Sequence, residues 1–171
     1  ALVTGQPTAG RVLTRGAARP GDLVAVTGAP GLAAAGVAAL ERNLSPPDSI
    51  RTATLRPQPR IALGQALAAL DGVRAAIDVS DGLLRDLGHI ARRGGVQIHL
   101  ETALLPVPSE LEVLCANLEL SPLDCVLTGG EAYELAVTVA PEAWDLASRA
   151  AENIGIALHR IGIVVEGPPA V

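Results

Sequence analysis

The sequence has almost no aromatic side chains: one Trp, one Tyr and no Phe among 171 residues, and no Met either. Its core must then be built from Ala, Val, Leu and Ile, with elements in close approach, which 18 Gly permit. There are only two cysteines, Cys115 and Cys125, neither in a CxxC pair nor near clustered His, so no zinc centre is suggested. Both lie in apolar surroundings that suit small core residues better than a disulfide. No apolar stretch is long and uncharged enough to span a bilayer, and no signal peptide is visible. The formal charge of −5 is spread without a run of either sign, which argues against a nucleic-acid or membrane-surface binder. A cytoplasmic setting is expected. The length suits one sizeable core, or one domain plus an attached segment. With no Met and a start at Ala1, the chain is expected to be a piece of something longer.

The stretch richest in chemistry is AAIDVSDGLLRDLGHI, residues 75–90. An apolar strand-like run gives way to an amphipathic helix whose Leu83, Leu84, Leu87, Ile90 and Ala91 share one face. Ser80 and Asp81 stand where an N-cap belongs, and Gly94-Gly95 where the helix should stop. Strand alternation puts Asp78 and Ser80 on one side. A helix N-terminus offers unpaired N–H groups to phosphate, and two carboxylates holding Mg²⁺ would attract rather than repel it. Asp78 and Asp81 are close enough in sequence to share such a metal. The plainer reading, a cap following a strand that ends in Asp78, remains open beside it.

Residues 1–15 read as a connector with strand potential in ALVTG and RVLTR. A turn at Arg19-Pro20-Gly21-Asp22 precedes a buried strand, LVAVT, at 23–27. Gly28-Ala29-Pro30-Gly31 then leads into a small-residue helix at 32–42, in which Gly36 implies close packing. This strand, glycine loop and helix could cradle phosphate or be only a tight turn; the spacing matches neither GxGxxG nor the Walker pattern. Residues 43–59 read as a loop whose Arg51 and Arg56, with Arg60 after it, could meet anionic ligands, though such arginines are more often solvated or paired with acids. A helix follows at 61–70, a half-exposed strand at 96–100 with His99 on its polar face, and a helix at 109–117 with Ser109 as cap and Glu112 in the capping-box position. Gly129-Gly130-Glu131 forms a turn ahead of a strand at 133–139, and Glu131 could hold a metal, accept from a substrate amine, or be a solvated turn acid. A helix at 141–153, with Trp144 in the core or at an edge, and a strand at 157–165 complete the chain. Strands and helices alternate without strict regularity, which points to a mixed sheet with helices on its faces.

Taken in order, GDLVAVTGAPGLAAAG, RPQPRIALG, AAIDVSDGLLRDLGHIARRGGV and LTGGEAYELAVTV resemble the C-terminal domain of the thiamine-monophosphate kinases. This is a branch of the superfamily that includes aminoimidazole ribonucleotide synthetase, selenophosphate synthetase and a hydrogenase-maturation protein. The resemblance implies an α+β fold of three α/β/α layers with a mixed sheet, over residues 16–171, behind a connector at 1–15 from a missing N-terminal domain. It implies transfer of the γ-phosphoryl of ATP to thiamine monophosphate, with Mg²⁺ bridging phosphates. Asp78 and Asp81 would be magnesium ligands, Ser80 an ATP contact and Glu131 a contact to thiamine monophosphate. The family's N-terminal domain supplies further aspartates and the homodimer contact, so this chain is expected to be inactive alone. Ala132 stands where the family usually has Asp, and the aromatic residue that often packs on substrate near the C-terminus is absent before Val171. An ATP-dependent synthetase acting on another small molecule, or a binding module without catalysis, are the alternatives.

Overall fold

The computed structural model describes Gly5, Pro7 and residues 11–171. Most of the expected strand over ALVTG lies outside the described residues. Residues 11–15 form no strand: the Arg11 guanidinium donates to the carbonyls of Leu70 and Val73 at 2.9 and 2.6 Å, so this segment is pinned by a side chain, not a ladder.

Five strands form one sheet: β1 (Leu23–Thr27), β2 (Val73–Val79), β3 (Gln97–Leu100), β4 (Glu134–Val139) and β5 (Leu158–Val165), in the order β2-β4-β1-β5-β3. Seven helices accompany it among the described residues: α1 (Leu32–Glu41), α2 (Asp48–Leu55), α3 (Ile61–Ala68), α4 (Leu83–Gly94), α5 (Ser109–Leu118), α6 (Pro122–Thr128) and α7 (Trp144–Glu152). The α+β class and the three layers are as expected. The mixed sheet is not: all four strand pairs are antiparallel, and parallel pairing among the described residues is limited to a single bridge between Gln97 and Ala170. The reason is that no two strands consecutive in sequence are neighbours. Alternation of strand and helix along the chain therefore says nothing about pairing direction here.

Both faces of the sheet are covered. Val24 and Val26 of β1, with Ala75, Ile77 and Val79 of β2, pack under α1, α2, α4, α5 and α6. Ala25, Val137 and Val139 face α3 and α7 on the other side, with Trp144 partly buried against them. That is why LVAVT reads as unbroken apolar sequence and is buried at every position. Two irregularities adjust the pairing. Ile161 is the extra residue of a bulge in β5 opposite Val24 and Ala25. A second irregularity in β2 leaves the Ala75 N–H to donate to the buried Thr138 hydroxyl at 3.1 Å.

Several local expectations change. The 43–59 loop contains α2, whose Ile50 and Thr54 are the close neighbours that Gly36 of α1 accommodates. Ile50 is its sole fully buried residue, so α2 carries no long apolar stripe to read. Helix α4 begins at Leu83 with Gly82 as N-cap; neither Ser80 nor Asp81 caps it. The α5 N-cap is Pro108, and Ser109 makes no capping bond. Residues 122–128 are a helix, capped by the Ser121 hydroxyl, which accepts from Asp124 N at 3.2 Å. Both cysteines are free, as expected, with their sulfurs 3.8 Å apart; burial pushes the Cys115 thiol up to about 12, which keeps it inert.

The register brings the C-terminal ends of β1 and β2 to the same end of the sheet as the N-terminal ends of β4 and β5: Thr27 lies opposite Leu158, and Val79 opposite Glu134. The loops after β1 and β2 and the turn before β4 therefore meet there. Helix α4 backs this end through Leu83, Leu87 and Ile90, each fully buried. Leu87→Ala should cost about 3 kcal/mol in urea denaturation; a loss under about 1 kcal/mol would show that α4 is not tied into the core.

Candidate functional site

The join between β2 and α4 and the Gly-Gly-Glu turn are docked backbone to backbone. Glu131 N donates to Ser80 O, and Tyr133 N to Val79 O, both at 2.8 Å. These two bonds extend the β2–β4 ladder beyond its last regular pair. Glycine is required on both sides of the contact. A Cβ on Gly130 would stand 2.8 Å from Ser80 O, and one on Gly82 would stand 2.8 Å from Thr128 O, where φ is +115° as well. Glu131 and Tyr133 themselves adopt positive φ, 62° and 51°. Such backbone costs about 1–3 kcal/mol per residue and persists where surrounding contacts hold it. It also ends the strand, so β4 begins at Glu134, one residue later than expected.

The N–H groups left over at the join are taken by an acid the sequence reading placed on the polar side of α4. Asp86 is buried, and its Oδ2 accepts from Ser80 N at 2.9 Å and Asp81 N at 3.0 Å. Neither the Ser80 nor the Asp81 side chain caps α4. Asp81 is exposed and lies 3.4 Å from Arg85, an open pair worth little in water. Asp78 is exposed at the end of β2. The Ser80 carbonyl is spent on Glu131, while its side chain is half-buried.

Glu131 and Tyr133 face this acidic side. The Tyr133 hydroxyl donates to Glu131 Oε2 at 2.9 Å. That bond, with the charges of Glu131, Asp78 and Asp81, pushes the phenol above its ordinary range, because each acid disfavours the phenolate. The predicted residues thus share one end of the sheet and one field. They do not close into a cage: among the described residues no three acids, histidines or cysteines surround one point. Two exposed carboxylates are nonetheless a donor set that fits Mg²⁺, which takes hard oxygen ligands and completes its shell with water and phosphate.

The even-numbered residues of the turn face elsewhere. Ala132 and Glu134 line a cleft of about 550 Å³ together with Gly28, Arg60, Val107 and His159. Glu134 is buried and held from two sides. Arg60 Nε donates to Oε2 at 2.7 Å and Nη2 to Oε1 at 2.6 Å, and the Thr27 hydroxyl also donates to Oε2. Thr27 Oγ1 in turn accepts from Leu135 N at 2.8 Å. The bond to Glu134 and its charge raise the Arg60 pKa further. Burial lowers the His159 pKa while Glu134 opposes the shift, so its imidazole is neutral at pH 7; whatever stability follows from this is present above the ordinary histidine range and is lost as pH falls below it.

Sequence reasoning missed Glu134 as a functional group, along with Thr27, Tyr133 and His159. For Glu134 a signal existed: a charge inside a strand buried on both faces needs a partner. The stretch Arg56-Pro57-Gln58-Pro59-Arg60 supplies that partner, and Arg60 is an acid-paired arginine.

A family model, AIR synthase related protein, C-terminal domain, matches residues 19–171. The chain belongs to this family. The AIR synthase related domain is 44% identical over 136 residues to thiamine-monophosphate kinase of Escherichia coli strain K12, a match covering 76% of this chain and 40% of that one. Among solved structures, thiamine-monophosphate kinase from Stenotrophomonas maltophilia K279a superimposes with a TM-score of 0.84 at 37% identity, over 94% of this chain and 52% of its own. AaThiL complexed with AMPPCP and TMP superimposes with a TM-score of 0.81 at 31% identity, over 95% and 51%. The chain therefore spans about half the length of these relatives. Among the described residues, no helix is long and apolar enough to cross a membrane.

Two predictions follow from the geometry of the domain. Arg60→Met strands a buried carboxylate and should cost about 3 kcal/mol, of which Glu134→Gln in the same chain recovers a large part; an unchanged urea midpoint in the single variant would deny the pair its role. Tyr133 is the one tyrosine of the sequence, so alkaline absorbance titration reads it alone. Its midpoint should lie above that of free tyrosine, near 10, and Glu131→Gln should bring it back down.

Proposed function

We propose that this chain is the C-terminal half of a kinase that transfers the γ-phosphoryl of ATP to thiamine monophosphate, giving thiamine diphosphate. The observation that carries the reading is the meeting of the Asp78-Val79-Ser80-Asp81 join with the Gly-Gly-Glu turn at one sheet end, in a chain 44% identical to a thiamine-monophosphate kinase. Residues 1–15 act as the connector from an N-terminal domain, residues 16–171 as the domain described above. The whole enzyme is a cytoplasmic homodimer, assembled through that N-terminal domain.

In this reading Asp78 and Asp81 would hold Mg²⁺, which would supply positive charge to offset that of the phosphates. The Ser80 side chain, which caps no helix, donates to a phosphate oxygen of ATP. Glu131 accepts from an amine of the thiamine substrate, and the Tyr133 hydroxyl fixes its carboxylate. Catalysis is positioning and charge compensation, with no covalent intermediate on the protein. This chain alone carries part of the phosphate-binding apparatus and is inactive by itself.

The test is production of thiamine diphosphate and ADP from thiamine monophosphate and ATP by the chain joined to its N-terminal half. Asp78→Asn should lower kcat by about 10²-fold or more, and Glu131→Gln should raise KM for thiamine monophosphate. On the isolated chain, Mg²⁺ near neutral pH should shift the Tyr133 ring resonances in NMR, and Asp78→Asn with Asp81→Asn should abolish the shift. ADP release without thiamine diphosphate would sink the assignment.

A further inference from the structure

Three carboxylates are buried among the described residues: Asp22, Asp86 and Glu134. Asp22 is paired with Arg74 and Glu134 with Arg60. Asp86 is different. It is 3% exposed, in the first turn of α4 beside the fully buried Leu83 and Leu87, and none of the ion pairs among the described residues includes it. Its Oδ2 accepts from Ser80 N at 2.9 Å and Asp81 N at 3.0 Å, while Oδ1 takes no hydrogen bond among the described residues.

Holding two backbone amides does not need a charge. A neutral amide oxygen has two lone pairs and can accept the same two bonds, and it costs less to bury than a carboxylate without a cation. The positive end of α4 offsets part of that cost. What only the carboxylate adds is a negative charge directly behind the join. Asp81 N lies against it, and the Asp78 and Asp81 side chains are exposed in front of it. Among the described residues, the one ion pair at the join is Asp81 with Arg85, and it is open to solvent. The join therefore carries net negative charge, part of it in the interior, where water and salt screen it least.

We infer that Asp86 is a positioning residue for cation binding at the join: it fixes the backbone of Ser80 and Asp81, and its buried charge strengthens the hold of Asp78 and Asp81 on a divalent cation. The inference rests on the reading of Asp78 and Asp81 as the Mg²⁺ ligands, and deepens it by a residue that is not itself a ligand. Asp86 acts through Ser80 and Asp81, to whose amides its Oδ2 is committed.

The experiment titrates the 171-residue chain with Mg²⁺ and follows the Tyr133 ring, the backbone amides and the carboxyl carbons by NMR. In the parent, Mg²⁺ should move the Asp86 carboxyl carbon and the Ser80 and Asp81 amides, and leave the carboxyl carbons of Asp22 and Glu134 in place. A silent Asp86 overturns the inference, and this reading needs no variant should one fail to fold. Asp86→Asn keeps an acceptor for both amides and drops the charge. The Ser80 and Asp81 amides should stay near their parent positions while Mg²⁺ affinity falls about tenfold. Asp86→Ala, which leaves both amides without an acceptor, should displace their resonances and bind more weakly still. Equal Mg²⁺ affinity in the parent and Asp86→Asn would reduce Asp86 to a structural acceptor and overturn the inference. In the chain joined to its N-terminal half, Asp86→Asn should raise the Mg²⁺ concentration for half-maximal rate about tenfold, with KM for thiamine monophosphate unchanged. Thiamine diphosphate formation with the same Mg²⁺ dependence in both would remove this role of Asp86 and leave the kinase. A tenfold loss of Mg²⁺ affinity in a joined enzyme that makes no thiamine diphosphate would do the reverse.

Discussion

Two backbone hydrogen bonds, Glu131 N to Ser80 O and Tyr133 N to Val79 O, hold the functional end of this molecule together. They join segments about fifty residues apart and can form only where both backbones come within contact distance. Gly82 and Gly130 supply that closeness, since any side chain at either position would meet a carbonyl oxygen. The positive φ of Glu131 and Tyr133 follows from the same contact: the turn must leave the strand path to reach Ser80 and still feed β4. The strain is offset by a ladder that continues where regular pairing stops.

Once the turn is fixed, its side chains are sorted. Glu131 and Tyr133 join the acids of the β2–α4 join, while Ala132 and Glu134 enter the cleft. Glu134 is the costlier placement. A buried carboxylate is tolerable only when paired and hydrogen-bonded, and Arg60 and Thr27 do both. Because Arg60 immediately precedes α3 and Thr27 ends β1, this one acid also ties the proline-rich segment and the central strand to the turn. A group that looks like a stability device thereby sets the shape of a cavity.

Much of the fold was legible because the patterns were strong. The run LVAVT could only be a strand covered on both faces, and the α4 stripe could only be a helix packed on one side. Helix α2 escaped because a short helix with one buried residue has no period to detect. Ser and Asp at a strand-to-helix join are good caps in isolation, but α4 starts only at Leu83 behind Gly82, and Asp86 reaches back to the Ser80 and Asp81 amides instead. The sheet was expected to be mixed because pairing partners lie far apart in sequence and local pattern does not encode direction.

By itself the sequence determined which residues could carry chemistry: Asp78, Ser80 and Asp81 in one join, Glu131 in one glycine turn, and a core of small aliphatics. Only the tertiary structure decided which of them share a compartment. Antiparallel register put the two motifs at the same end of the sheet, and the close backbone approach of Gly130 to Ser80 and of Gly82 to Thr128 set which side chains face the acids and which face the cleft. The physical reason is the difference in range. Residue type and short spacing are local properties that a chain carries unfolded, whereas facing, burial and pairing arise only when distant segments exclude water from between them.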